Sequence, residues 1–339
     1  MKKRFFWLIV SAVLLFSMIS VVALFAEKET KLTVGLVQIG LTHPFHIAEA
    51  KGANEAAKRL DIDVKIVSGE GNLNKQIEVF ENLVQQKVDS IVVNPIDGKA
   101  FGPAFEKAKA AGIPILTLHT VVPGAVAMLG FDEIKTGSEV GAFTVELLKK
   151  KYGKPKGEVA ILQGMLGQDA NTFRTKGFTD VMDKYPDIKV VAMTPTDWDP
   201  KKGVEVTENY LVAYPNLDII YGLSDGMTVP AANTVKNAGK LGQIKLVSVD
   251  GGDYALEAVK NGDLECTYLL GDVFVGYQYI KYGLMVAKGE KVPERILIKG
   301  AIVTKDNVDA AIKLKKEMKD NISNFPFDKT LPEIIDMYK

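Results

Sequence analysis

Gly222-Leu223-Ser224-Asp225-Gly226 has the G-x-S-x-G form of a nucleophile elbow, and it lies between a β-branched run and a helical stretch, as that motif requires. An elbow serine needs a histidine base, which the hydrolase order places downstream. All three histidines, His43, His46 and His119, lie upstream, so hydrolysis lacks its base. The histidines suggest a second chemistry. His43 and His46 are three apart at a helix start and His119 follows another strand, so three imidazoles at one sheet edge could hold zinc or copper. The spacing fixes no acidic partner and is not H-E-x-x-H, so the plainer reading is hydrogen bonding to a ligand or a helix cap. No G-x-G-x-x-G follows the first strand, and no G-x-x-x-x-G-K-[ST] occurs. The lone Cys266 can neither close an internal disulfide nor build a thiolate cage. No metal and no cofactor is expected.

A different set of residues carries more information. From Leu32 onward, short β-branched runs alternate with amphipathic stretches. The expected strands are Leu32–Gln38, Val64–Val67, Ser90–Asn94, Pro114–Leu118, Ala125–Gly130, Glu158–Gln163, Lys189–Met193, Asp218–Leu223, Lys245–Val249 and Cys266–Leu270. Helices are expected at Pro44–Leu60, Leu73–Gln86, Lys99–Ala111 and Gly226–Gly239. Leu73, Ile77, Phe80 and Val84 fall three or four apart, which is one helix face. Such alternation gives parallel sheets covered on both faces, and near-continuous apolar runs such as Ile91-Val92-Val93 fit that coverage. The fold class is therefore α/β with doubly wound parallel sheets. The pattern suggests two similar halves dividing near Phe131.

In open parallel sheets, ligands sit beyond the carboxyl ends of the strands. Those positions hold Thr42-His43-Pro44-Phe45-His46, Asn94-Pro95, His119-Thr120, Gly167-Gln168-Asp169, Asp197-Trp198-Asp199, Ser224-Asp225, Asp250-Gly251 and Leu270-Gly271-Asp272. Aromatic planes cover the C–H faces of a polyhydroxylated ring, while short amides and carboxylates take its hydroxyls. Charge-dense Lys313–Lys319 reads as a solvated helix face.

Size and charge narrow the partners. With 339 residues, the chain is long enough to force a second core. Its 47% hydrophobic content is too high for disorder, and 42 basic against 42 acidic residues give no basic face for nucleic acid. Lys2, Lys3 and Arg4 precede the uncharged run Phe5–Phe25, and Ala26 leads into polar Glu27-Lys28-Glu29-Thr30. That is the order of an export signal, 1–26, whose basic end stays cytoplasmic. The run is also long enough to serve as a retained anchor. Cleavage removes Lys2, Lys3 and Arg4 and no acid, which leaves a formal charge of −3 and Trp198 as the only tryptophan. Cys266 lies far from the cleavage site, which excludes lipid attachment through an N-terminal cysteine.

Together, the strand-end residues resemble the ribose-type group of periplasmic binding proteins, the type I sugar receptors of ABC importers, over roughly Leu32 to Val303. The family's Asn-Asn-Pro-Phe-Phe is similar to Thr42-His43-Pro44-Phe45-His46, and its Asn-Pro-Thr-Asp to Asn94-Pro95-Ile96-Asp97. Its Arg before Gly-x-Gly-Phe resembles Arg174 ahead of Lys176-Gly177-Phe178, and its Asp-Phe-Asp falls on Asp197-Trp198-Asp199. Its Asn-Asp-x-Met matches Ser224-Asp225-Gly226-Met227, and its Phe-Asp-Gly falls on Val249-Asp250-Gly251.

The resemblance implies two lobes joined by three crossings, with the ligand closed between them. Lobe one would be 32–132 plus 271–303 and lobe two 133–270 plus 304–320; with Pro326 and Pro332, 321–339 itself reads as a surface tail with a short helix. It implies no enzyme, but a monomeric periplasmic receptor that hands a sugar to an ABC permease in the inner membrane. The implied ligand residues are His43, Phe45, His46, Asn94, His119, Asp169, Arg174, Trp198, Ser224, Asp225, Asp250 and Asp272. The family's sugar-gripping Asp-Arg pair is here His119-Thr120, its late Gln is Leu270, and its second-lobe Asn is Ser224. These departures point away from ribose itself, toward a hexose, another pentose, a deoxysugar or inositol. The alternative reading is an ectodomain that presents a sugar-like signal to a chemoreceptor or sensor kinase.

Overall fold

Apolar runs without a polar face must be covered twice, and here they are. The computed structural model describes residues 31–42 and 44–339; the expected leader and His43 lie outside the described residues. One sheet holds β1 (Thr33–Gln38), β2 (Asp63–Ser68), β3 (Ser90–Val93), β4 (Ile115–Leu118), β5 (Ala127–Phe131) and β11 (Arg295–Ile298). The other holds β6 (Gly157–Gln163), β7 (Ile188–Pro195), β8 (Leu217–Gly222), β9 (Lys245–Asp250), β10 (Cys266–Leu269) and β12 (Ala301–Thr304). Their orders, β2-β1-β3-β4-β5-β11 and β7-β6-β8-β9-β10-β12, correspond strand for strand. Every pairing is parallel except that of β12, which runs antiparallel to β10. The two expected similar lobes are thus present as doubly wound sheets.

The helices of the first lobe are α1 (Pro44–Leu60), α2 (Leu73–Gln85) and α3 (Gly102–Ala110). Lobe two has α4 (Glu133–Tyr152), α5 (Asp169–Met182), α6 (Pro200–Ala213), α7 (Asp225–Asn237) and α8 (Asp253–Asn261). The chain then adds α9 (Asp272–Ala287) to lobe one, and ends with α10 (Val308–Asp320) and α11 (Leu331–Tyr338). Ile91 and Val93 pack with Phe80, Phe101 and Phe105 of the α2–α3 layer, whose rings lie 5.4–5.7 Å apart. On the opposite face, α9 approaches so closely that a methyl group on Gly283 would meet Val34 at 2.8 Å and Val92 at 3.0 Å.

Two expectations about the end of the chain are corrected. Residues 301–303 belong to lobe two, because β12 pairs with β10 from Cys266–Thr304 to Leu269–Ala301. The third crossing is therefore at Lys299-Gly300. Neither β11 nor β12 is among the strands expected from the sequence.

Residues 321–339 are not a surface tail. Phe325, Phe327, Leu331, Ile334 and Ile335 are buried. The Phe327 ring stacks on Tyr277 of α9 at 4.0 Å, and the Arg59 guanidinium of α1 lies 4.8 Å from the Phe327 ring and 5.6 Å from that of Tyr277. Arg59 Nη1 donates to the Phe325 carbonyl at 2.9 Å, and Gln278 Nε2 to that of Phe327 at 2.7 Å. Beyond this, α11 begins with a Thr330–Glu333 capping box and lays Leu331 against Gly271 at the second crossing. The segment leaves lobe two, docks on lobe one and returns to the hinge. Lys313–Lys319 is likewise not uniformly solvated, because Lys315 turns inward to Asp272 at 2.7 Å.

Removing the docked ring tests this account. Phe327→Ala is expected to lower unfolding stability by about 3–5 kcal/mol in chemical denaturation, the usual range for a buried phenylalanine. An unchanged midpoint would mean that the segment is not part of the lobe-one core.

Candidate ligand-binding site

Lobe two is organised around a buried cation. Helices α4 and α5 meet backbone to backbone: a Cβ on Gly137 would lie 2.1 Å from the Arg174 carbonyl oxygen, and one on Gly177 2.0 Å from that of Ile134. This approach sets Arg174 against Glu133, both nearly fully buried. Arg174 Nε donates to Glu133 Oε2 at 2.6 Å and Nη2 to Oε1 at 3.1 Å. Its Nη1 donates to the Leu223 carbonyl at 2.8 Å and reaches Asp250 Oδ1 at 3.4 Å. Burial opposes the guanidinium charge, but the Glu133 and Asp250 carboxylates outweigh it and hold the group protonated.

Asp250 ends β9 with φ of 122°, a conformation that side chains other than glycine rarely adopt. Ser224 Oγ donates to its Oδ2 at 2.7 Å. Asp225, fully buried, is the anchor of the turn that follows. It accepts the Gly252 N–H at 2.9 Å and the Thr267 hydroxyl at 2.8 Å. Burial, then the neighbouring Asp250 charge, push its pKa up to about 7.

Trp198 follows β7 with φ of 63°, next to Asp197 at 55°. Asp199 then caps α6, accepting from Lys201 N at 2.7 Å and Lys202 N at 3.0 Å. The indole lies against Gly164, where a Cβ would fall 2.0 Å from the ring. Its Nε1 donates to Gln168 Oε1 at 2.7 Å. Asp169, partly exposed, opens α5 beside Gln168.

Lobe one offers the opposite wall. Fully buried Gln76 holds the turn after β3 by donating to the Asn94 carbonyl at 2.7 Å and accepting the Ile96 N–H at 2.9 Å. Phe45 and His46, in the first turn of α1, meet edge to face at 6.0 Å. His119, φ 64°, stacks on Phe131 at 5.7 Å. Burial lowers its pKa, and the Glu49 and Glu133 carboxylates oppose that without reversing it. For His46, burial also works to lower the pKa, but the hydrogen bond and charge of Glu49, helped by Asp250, raise it overall. The influence of Asp250 on His46, and of Arg174 and Glu133 on His119, is electrostatic contact across the two lobes. Non-glycine residues with positive φ cluster at these strand ends, as strained backbone does at functional sites.

A separate cavity of about 410 Å³ lies behind the hinge, lined by Asp132, Lys135, Tyr268, Lys299, Asp336 and Lys339 among others. It shares no residue with the strand-end set. Among the described residues, no group of three or more His, Cys, Asp or Glu is arranged to hold a metal ion. No described helix is long and apolar enough to cross a membrane.

The periplasmic binding protein domain family matches residues 34–291. The chain belongs to the periplasmic binding protein family. This binding protein is 30% identical to the ribose import binding protein of Bacillus subtilis, over 79% of this chain and 86% of the relative. It is 32% identical to the xylitol-binding protein of Mycolicibacterium smegmatis, over 78% and 76%. The solute-binding protein of Actinobacillus succinogenes solved with D-allose superposes with a TM-score of 0.77 at 31% identity, covering 82% of this chain and 99% of the other. One from Bacillus halodurans with myo-inositol superposes with a TM-score of 0.77 at 25% identity, covering 85% and 99%.

In this binding protein, Phe45, His46, Asn94, His119, Trp198, Ser224 and Asp250 occupy strand ends or the turns and helix starts beside them, and Arg174 reaches Asp250 from within α5. Two expected ligand residues have other partners. Both Asp225 oxygens hold the turn after β9. Both Asp272 oxygens accept from Lys315, at 2.7 and 2.8 Å, forming an ion pair between lobes at the second crossing. Sequence reasoning missed Glu133, Gln76, Gly164, Glu49 and Tyr279. All act on a neighbour's side chain or backbone, and only the contact reveals them.

Three outcomes follow from this geometry. Glu133→Ala is expected to cost about 3–5 kcal/mol of stability, because it strips the principal partner from a buried cation. Gly164→Ala displaces Trp198, read as a shift in tryptophan emission with the fold retained by circular dichroism. Asp225 has a folded pKa of about 7 against an ordinary 3.8, so the native state binds the extra proton between them. Its contribution is full below about pH 4 and is lost as pH rises through about 7. Denaturation at a series of pH values should show this fall, and Asp225→Asn should flatten it.

Proposed function

We propose that this chain is an exported, non-enzymatic receptor that captures a small neutral sugar or polyol between its lobes and delivers it to an ABC importer in the inner membrane. One observation carries the reading. Asp250, held by Arg174 and Ser224 at the end of β9, acts by its charge on His46 at the start of α1 in the other lobe. A charge-backed carboxylate and an amide take paired hydroxyls, and the aromatic faces cover ring C–H surfaces. Ribose, xylitol, D-allose and myo-inositol are what its relatives bind, and all are neutral polyols. The partly exposed indole and strained strand ends suit a cleft that closes on its ligand. Delivery would be as a monomer, with both lobes presented to the permease.

Thermal-shift screening against D-allose, D-ribose, xylitol, L-arabinose and myo-inositol tests the reading. A ligand present at 100 times its Kd adds about 2.7 kcal/mol of stability. The expected result is a clear rise in Tm with at least one compound, abolished in Asp250→Ala and weakened in Trp198→Ala. No shift with any polyol, or undiminished affinity in both variants, would remove the proposed site.

A further inference from the structure

Behind the lobe-one wall lies a carboxylate to which the site gives no direct task. Glu49 is completely buried on α1. Its helix meets α9 backbone to backbone: a Cβ on Gly276 would lie 1.9 Å from the Glu49 carbonyl oxygen, and one on Gly52 1.9 Å from that of Val273. The approach puts three donors around one carboxylate. Tyr279 Oη reaches Glu49 Oε1 at 2.7 Å. His46 Nδ1 reaches Oε2 at 2.7 Å, and Gln38 Nε2 reaches the same oxygen at 3.1 Å. Tyr279 Oη also lies 3.1 Å from His119 Nε2.

The inventory of protons then has one solution. A carboxylate only accepts, so Tyr279 spends its single O–H on Glu49. The Tyr279 oxygen can therefore only accept from His119, which places the hydrogen of that ring on Nε2. His119 is kept neutral by burial, so its Nδ1 is a bare acceptor. Gly130 leaves open the space beside that nitrogen, since a Cβ there would stand only 3.3 Å away. On the other branch, His46 donates through Nδ1–H to Glu49 at 2.7 Å. The charges of Glu49, from its own helix, and of Asp250, from the end of β9, act to raise its pKa.

We propose that Glu49 is the positioning residue of the lobe-one wall: it fixes the His46 ring through Nδ1–H and, through Tyr279, holds the hydrogen of His119 on Nε2, so that lobe one meets ligand hydroxyls with His119 Nδ1 as an acceptor. The assignment deepens the receptor reading and rests on it for the ligand alone.

The test uses the ligand-free protein first. Nitrogen-15 NMR of the histidine rings should show His119 with hydrogen on Nε2 only at pH 7, and His46 titrating above 6.5. Glu49→Gln keeps the shape and removes the charge, and should lower the His46 pKa by about one unit or more, a tenfold loss in proton affinity. Tyr279→Phe should leave the His46 titration near that of the wild type and release the His119 tautomer. In the second arm, the compound of the polyol panel that shifts the wild type should bind Glu49→Gln about ten times more weakly or worse at pH 7. Unchanged histidine titrations and tautomers in folded Glu49→Gln would overturn the proposal, as would unchanged polyol affinity once those titrations have moved. A wild type that binds no polyol would instead count against the receptor reading. The NMR arm would still decide whether Glu49 sets the two rings.

Discussion

A guanidinium taken out of water governs the second lobe. Its isolated burial would cost several kcal/mol, and only close, bidentate carboxylate contact offsets that. Glu133 supplies the contact from the first turn after the hinge, and Arg174 supplies the cation from the helix after β6. Asp250 and the Leu223 carbonyl complete the shell from two further strand ends. One buried charge therefore ties the hinge, α5, β8 and β9 into a single rigid unit. Asp250 keeps its strained backbone because this unit, together with Ser224 and the Asp225-held turn, over-determines it.

The first lobe solves the same problem with the signs exchanged. There the buried ion is an anion, Glu49, surrounded by a phenol, an imidazole and an amide. In both lobes the helix arriving from the hinge packs on the helix after the first strand, and in both the backbones touch at paired glycines: Gly137 and Gly177, Gly276 and Gly52. Side chains at these four positions would push the helix backbones apart. The matching strand orders are thus accompanied by a matching device for seating charge next to the cleft.

What the sequence disclosed follows from how far each signal reaches. The long amphipathic stretch Pro44–Leu60 and the apolar runs of β3, β4 and β8 carry their own periodicity, so fold class and strand ends were readable. Trp198, Asp250 and Arg174 stand in short motifs at those ends and were equally visible. Gln76, Glu49 and Tyr279 were not, because each is an ordinary polar residue of a helix until its partner from elsewhere in the chain arrives. Tyr279 and Glu49 are separated by 230 positions. Lys315 reads as one more solvated lysine in a charged helix, and only the fold brings Asp272 to it. Strands β11 and β12 were not among those expected; each takes its place by pairing, β11 with β5 and β12 with β10.

The path of the last residues has a practical consequence. Because Phe325 and Phe327 complete the core of lobe one and α11 rests on a hinge crossing, the carboxyl end is mechanically coupled to both bodies that must move when the cleft closes. A reporter or surface tether attached directly at Lys339 would load that hinge, so a sensor built on this scaffold should carry its reporter on an outlying turn such as the one at Gly239, where added atoms meet nothing within 4 Å.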